Sequence, residues 1–205
     1  MSAIRHAAPQ REHRRRRLRP LYLLALACLV PVVASYLVYY FFPPSGRTNY
    51  GVLIDPQRPT PPLALRSLDG AAFDLRALQG RWVMLTVDHA QCLDRCRSKL
   101  WNMRQVRTAT GKERDRIERV LLIVDDAPTT TLMLHEFEGT HFLRASAAEV
   151  APFLTLAPPE GGAALEDCIW LIDPVGHLML RWPVAADPSR MKKDIDRLLR
   201  ASRIG

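Results

Sequence analysis

The sequence predicts an α/β domain carried behind a single transmembrane helix, and three observations lead to that expectation. An uncharged run of 22 residues, Leu21 to Phe42, follows closely behind an arginine cluster. Two largely apolar runs, Trp82 to Val87 and Val120 to Val124, have the length and β-branched content of buried strands. Between and after them apolar residues recur at helical spacing, so strands and helices alternate, as they do in layered α/β domains.

A chain of 205 residues holds one ordinary domain plus an appendage. Its net charge of +8 is concentrated: residues 1–20 carry seven arginines and one glutamate, a net +6, which leaves +2 for the rest. A nucleic-acid-binding domain spreads basic charge over a folded face. Here the charge precedes an apolar run, which argues against nucleic acid and for a membrane. About 20 apolar residues cross the roughly 30 Å hydrocarbon layer, so 21–42 is read as one span. Pro31 is tolerated in lipid, and Tyr22 with Tyr36, Tyr39 and Tyr40 suits the two interfaces.

Arg14 to Arg17 and Arg19 stay on the cytoplasmic side by the positive-inside rule. Residues 1–20 are then a basic cytoplasmic tail, and everything after Phe42 is exported. In a bacterium this means an inner-membrane anchor and a periplasmic domain. A cleaved signal peptide has a shorter apolar region, of about 7 to 15 residues. Ala25-Leu26-Ala27-Cys28 loosely resembles a lipoprotein cleavage box, but fourteen uncharged, largely apolar residues follow Cys28, which is therefore read as a packing or lipid-facing residue. Residues 43–62, rich in Pro, Gly, Arg and Asn, read as a spacer, and the exported domain is expected over 63–205.

Within that domain, Leu63-Ala64-Leu65 and a turn at Gly70 suggest a short strand or hairpin, followed by the strand Trp82 to Val87. A helix is expected from about Cys92, with apolar Cys96, Leu100, Met103 and Val106 on one face. The second strand ends in Asp125-Asp126. Helices are expected near Thr131 to Phe137 and Ala145 to Leu156, then a turn-rich Pro158 to Gly162. Cys168 to Ile172 and His177 to Arg181 form a hairpin through Asp173-Pro174-Val175-Gly176. An amphipathic helix from about Asp187 to Leu199 closes the chain. This order, with a cysteine pair where the first long strand meets its helix, is that of a thioredoxin-like domain, whose chemistry collects beyond the carboxyl ends of the strands.

Cys92-Leu93-Asp94-Arg95-Cys96 is a CxxxC. On a helix this spacing puts both sulfurs on one face, with Cα atoms about 6 Å apart, within disulfide range. A cysteine at a helix start has a stabilised thiolate, and Arg95, Arg97 and His89 are close in sequence. Cys92 is therefore the candidate nucleophile and Cys96 the shielded resolving partner. A purely structural disulfide is the alternative in an exported protein, but closing so short a loop stabilises little.

The membrane anchor, the CxxxC after a buried strand, Val124-Asp125 and the late Leu171-Ile172-Asp173-Pro174-Val175-Gly176 turn together resemble the Sco/SenC family. The resemblance spans roughly Leu63 to Leu199. It implies a membrane-tethered, thioredoxin-like copper chaperone or thiol reductase for cytochrome c oxidase assembly. An oxidase subunit or another copper-assembly factor would be the partner, and Cu(I) the metal, held by Cys92 and Cys96. This sequence departs from the family pattern where Arg97 replaces a proline after the second cysteine and Asp94-Arg95 stands in the loop. It departs again at Leu165, which occupies the position of the family's copper-binding histidine.

Cu(I) favours soft donors, so Cys168, three residues later, is the candidate third metal ligand; the competing reading makes it a small core residue. His135, His141 and His177 read as solvated or satisfied in place rather than as metal ligands. Asp125 and Asp126 either face the site from a strand end or cap the next helix. Two functions follow: a Sco-like factor working by thiol-disulfide exchange, Cu(I) binding or both, and a non-catalytic docking protein that keeps the fold without copper. A cysteine peroxidase is set aside, because the chain lacks the Thr-x-x-Cys arrangement those enzymes share.

Overall fold

The structure, a computed structural model, describes residues 10–41, 49–155 and 164–202. Residues 1–9 of the expected tail, Phe42, the first part of the expected spacer (43–48) and the turn at Pro158 to Gly162 lie outside the described residues. The chain divides into two units, Met1–Thr48 and Asn49–Gly205.

The described residues of the first unit form one helix, α1 (Gln10–Phe41), which carries a 19-residue apolar span, Pro20–Val38, with a mean hydropathy of 2.4. Among its described side chains, Leu23, Leu26, Leu29 and Leu37 of the apolar span are solvent-facing. Length and composition fit a single-pass membrane anchor. Pro20 and Pro31 both lie inside the helix. The arginine cluster belongs to its first turns rather than to an extended tail, because the helix already begins at Gln10.

The described residues of the second unit form an eight-stranded sheet. Its strands are β1 (Val52–Pro59), β2 (Leu65–Ser67), β3 (Ala72–Phe73), β4 (Trp82–Asp88), β5 (Ile117–Ile123), β6 (His141–Arg144), β7 (Cys168–Ile172) and β8 (His177–Pro183), in the spatial order β1-β8-β7-β4-β5-β6-β2-β3. Central β4, β5 and β6 are parallel, and β7 lies antiparallel against β4. All seven residues of β4 and of β5 are buried, as strands covered on both faces require.

The helices α2 (Asp94–Ala109), α3 (Thr131–Glu136) and α5 (Pro188–Ala201) cover one face. There Leu100, Met103, Met133, Met191 and Ile195 pack on Met84, Leu121 and Leu171. On the other face, Val83, Leu85 and Leu122, which alternate with those residues along the strands, pack against Val150, Phe153 and Leu154 of α4 (Ala147–Leu154), with Leu75 and Leu78 of a 3-10 turn. The result is a three-layer α/β/α arrangement.

The spacer expectation is overturned over its described part. Residues 52–59 form β1, which pairs antiparallel with β8, so the folded unit starts at Asn49 rather than at residue 63. Its prolines mislead because β1 is an edge strand, where a missing amide breaks no central ladder, and Ile54 is buried against the sheet. The short strand β6 is likewise absent from the sequence-based expectation.

Candidate functional site

The site is built where β4 runs out. Asp88, the last residue of β4, accepts the amide of His89 on Oδ1 at 2.9 Å, and the His89 carbonyl accepts the Cys92 amide at 3.0 Å. Beyond β5, the Asp125 carboxylate accepts the Ala90 amide at 3.0 Å. Of the two roles open to Asp125, the structure shows the one at the strand end; the side-chain cap of α3 comes from Thr130. The turn 89–92 is thus held by carboxylates from two neighbouring strand ends.

Cys92 and Cys96 form a disulfide with a Cα separation of 4.9 Å. This is shorter than the helical spacing anticipated, because Cys92 is not in the helix. It has a positive φ of 40°, Leu93 is the N-cap, and α2 begins at Asp94. The left-handed conformation of a non-glycine residue costs about 1 kcal/mol or more and turns Cys92 inward. Both sulfur-bearing residues are consequently buried, Cys92 at 4% and Cys96 at 1% exposure, whereas Leu93 between them is 72% exposed. The expectation of an accessible Cys92 is corrected for this oxidised form.

Lys99, one turn after Cys96, went unnoticed in the sequence. It is wholly buried, and its Nζ donates to the Val87 carbonyl at 2.8 Å and the Glu166 carbonyl at 2.5 Å, and lies 2.9 Å from Asp88 Oδ2. Burial pushes its pKa below the ordinary lysine value, and the Asp88 carboxylate opposes that shift. Arg95 pairs with Asp167 at 2.7 Å. Two cations of α2 therefore bind the 3-10 turn Leu165–Asp167, which leads into β7. The signal was present: Lys99 lies three residues after Cys96 and four before Met103, on the buried face of α2.

Cys168 does not join this site. Along β7, Ile169 and Leu171 pack in the core that contains Cys92 and Cys96, while Cys168, Trp170 and Ile172 pack in the core of the opposite sheet face. Burial raises its thiol pKa, and its Sγ lies 3.9 Å from Arg181 Nη1. The metal-ligand assignment for Cys168 is therefore corrected to a core residue, since strand alternation turns it away. Leu165 packs against that same opposite core. His141 meets Glu118 at 3.3 Å and His177 meets Asp173 at 3.6 Å, each satisfied locally.

The profile of the family described as transmembrane-like, thioredoxin-like, C-terminal domain matches residues 82–202, from β4 through α5. The chain belongs to this family. In this transmembrane-like, thioredoxin-like domain, the matched stretch includes the disulfide, Lys99 and the turn before β7. Among solved structures, yeast Sco1 with copper bound is similar at a TM-score of 0.56 and 16% identity, covering 73% of this chain and 96% of that one. Apo Sco1 from Thermus thermophilus gives 0.55 and 18%, covering 76% and 99%. A thiol:disulfide interchange protein of the thioredoxin family from Chlorobium tepidum gives 0.54 and 16%, covering 71% and 99%. No curated protein matches the chain. At these identities the likeness establishes the fold, so the thioredoxin-like class and the Sco/SenC resemblance are borne out at that level.

For copper, which the Sco-like fold brings into question, a third donor is not placed beside the cysteine pair among the described residues. The reduced cysteines would supply two thiolates, but Leu165 has no donor atom and Cys168 faces away. Among the described residues no group of three or more His, Cys, Asp or Glu side chains is placed to hold a metal.

Proposed function

We propose that the chain is a membrane-tethered, Sco-like thiol-disulfide exchange factor acting on the cysteines of a copper site, that of a cytochrome c oxidase subunit. The anchor lies in a bacterial inner membrane, with the arginine cluster cytoplasmic and the domain periplasmic. The observation that carries this reading is the Cys92–Cys96 disulfide on a turn held by Asp88 and Asp125 at the carboxyl end of β4.

In the reduced chain, the Cys92 thiolate attacks one sulfur of a partner disulfide. This forms a mixed disulfide and releases the partner's other sulfur as a thiolate, which takes up a proton. Cys96, deprotonated, then attacks Cys92 Sγ, regenerating the bond seen here and releasing the partner's second thiolate. Two electrons pass to the partner, and an exported dithiol reductant restores the pair.

The test is a trap. In a strain expressing Cys96→Ser, the partner remains bound to Cys92 as a mixed disulfide that reductant releases. An oxidase subunit carrying paired copper-site cysteines is the expected adduct, and a trap holding only unrelated proteins refutes the partner assignment. The burial of both sulfurs favours the second reading, a docking protein. Under that reading the Cys92→Ser/Cys96→Ser double variant supports oxidase assembly as well as the parent does.

A further inference from the structure

The two sides of α5 differ in kind. Met191, Asp194, Ile195 and Leu199 are buried, whereas Arg190, Lys193, Arg197 and Arg200 are all exposed. These four cations follow the spacing i, i+3, i+7, i+10, which keeps them in one narrow stripe along a helix with 3.6 residues per turn. The acidic residues of α5 lie off that stripe: Asp194 is buried, 3.8 Å from Arg197 Nη1, and Asp196 pairs with Lys192 at 2.5 Å.

The stripe begins where the chain enters the folded unit. The Asp194 carboxylate accepts the Tyr50 and Gly51 amides at 3.0 and 2.8 Å, and the Arg190 guanidinium stacks over the Tyr50 ring, 3.9 Å from its centroid. Tyr50 follows closely in sequence on Phe41, the last residue of α1, and even a fully extended chain of that length reaches no more than about 30 Å. A row of cations joined to so short a tether is kept near the bilayer surface, where anionic lipids set up a negative potential.

We propose that the α5 stripe is a docking surface for anionic phospholipid headgroups, which holds the exported domain down on the membrane that anchors it. The contact is electrostatic. Met191, Ile195 and Leu199 are already packed in the core, so α5 has no free apolar side to insert and rests on the headgroups instead. Such attraction decays within a Debye length, about 8 Å at physiological salt, so it acts because the tether brings the stripe close. The cysteine helix α2 packs on the same sheet face as α5. Docking therefore limits the orientations in which the disulfide meets a partner in the same bilayer. It requires the anchor reading of α1 and is independent of thiol exchange.

The test uses the full-length protein in proteoliposomes, with a fluorophore on Ser189→Cys in a Cys28→Ser background. Ser189 is exposed at the start of α5, and Cys168 is buried. A nitroxide on the lipid headgroup quenches the fluorophore only at close range. In phosphatidylcholine with about one third phosphatidylglycerol, quenching is expected to be about twofold stronger than in phosphatidylcholine alone, and raised salt should abolish the difference. Lys193→Glu/Arg200→Glu leaves Arg190 on Tyr50 and Arg197 beside Asp194, and should fall to the neutral-lipid level. Arg66→Glu, on β2, should match the parent. Circular dichroism checks that each variant folds. Equal quenching of the parent in both lipids overturns the proposal, as does a folded double variant that still responds to phosphatidylglycerol. Carbonate extraction is a separate arm. A protein stripped by carbonate removes the anchor reading and docking together, whereas one that is retained but equally quenched in both lipids removes docking alone.

Discussion

The carboxylate of Asp125, just beyond β5, accepts the backbone amide of Ala90, just beyond β4, at 3.0 Å. The residue after the second strand thereby sets the turn that presents Cys92. Replacing it with alanine leaves the Ala90 amide without this partner, at a cost of about 1–3 kcal/mol. Asp125→Ala is expected to lower stability by that amount and to speed alkylation of Cys92 in the reduced protein. Asp125→Asn keeps an acceptor oxygen and stays near the parent. Denaturant titration and timed alkylation with mass detection check both, and equal alkylation rates in all three proteins contradict the positioning role.

Glu118 on β5 is the acid-sensitive point of the sheet. It is buried, paired with Arg81 and 3.3 Å from His141 Nε2. The hydrogen bond from His141, and then that from Arg81, hold its pKa below the ordinary value of 4.5. A carboxyl whose folded pKa is depressed adds stability that is present above its unfolded pKa and lost as pH falls through the folded one. Glu118→Gln should therefore cost about 2 kcal/mol at pH 7. The gap from the parent should close as the pH drops below 4.5. A gap that stays constant from neutral pH down into that acid range excludes the linkage.

The parts of this fold that were legible in the sequence are those where one physical signal dominated. Trp82 to Val87 of β4, broken only by Thr86, and Val120 to Ile123 of β5 are largely apolar runs because both faces are covered, and the β7–β8 hairpin is marked by Asp173 to Gly176. Other elements carried conflicting signals. Prolines 56 and 59 concealed β1, whose edge position makes them harmless, and β6 is four residues with His141 and Arg144 at its ends. At the site, spacing found the disulfide partners, but the start of α2 fell two residues later because Cys92 takes a left-handed conformation. Composition could not assign Cys168 to a face, since a strand buried on both sides shows no alternation. Lys99 was hidden by its charge, although its spacing placed it on the buried side of α2.

Cys168 is expected to behave as a core residue. Its thiol is buried and its pKa raised by that burial, so reagents should reach it only when the fold opens. Cys168→Ala is expected to cost about 1 kcal/mol, the scale of a small buried side chain, and to leave the Cys92–Cys96 equilibrium with glutathione unchanged. A shifted equilibrium in that variant would place the sulfur at the redox site after all. The comparison is read from alkylation patterns in graded glutathione buffers.

The entry of the chain into the folded unit depends on Asp194 of α5. Its buried carboxylate accepts the Tyr50 amide at 3.0 Å, the Gly51 amide at 2.8 Å and the indole N–H of Trp182 at 3.1 Å. Gly51 has to be glycine for steric reasons, because a Cβ there would lie 2.8 Å from both Leu180 Cγ and Trp182 Nε1. Gly51→Ala is thus expected to destabilise by about 1–3 kcal/mol through overpacking. Asp194→Ala should cost at least as much, since it strands three donors at once. Both changes act far along the chain from the cysteines, so the redox equilibrium of Cys92–Cys96 should hold in either folded variant. Early proteolysis after residue 49, in the region of β1, is the expected signature of a loosened entry. Parental stability in Gly51→Ala would mean that the tight contact at Trp182 relaxes without cost.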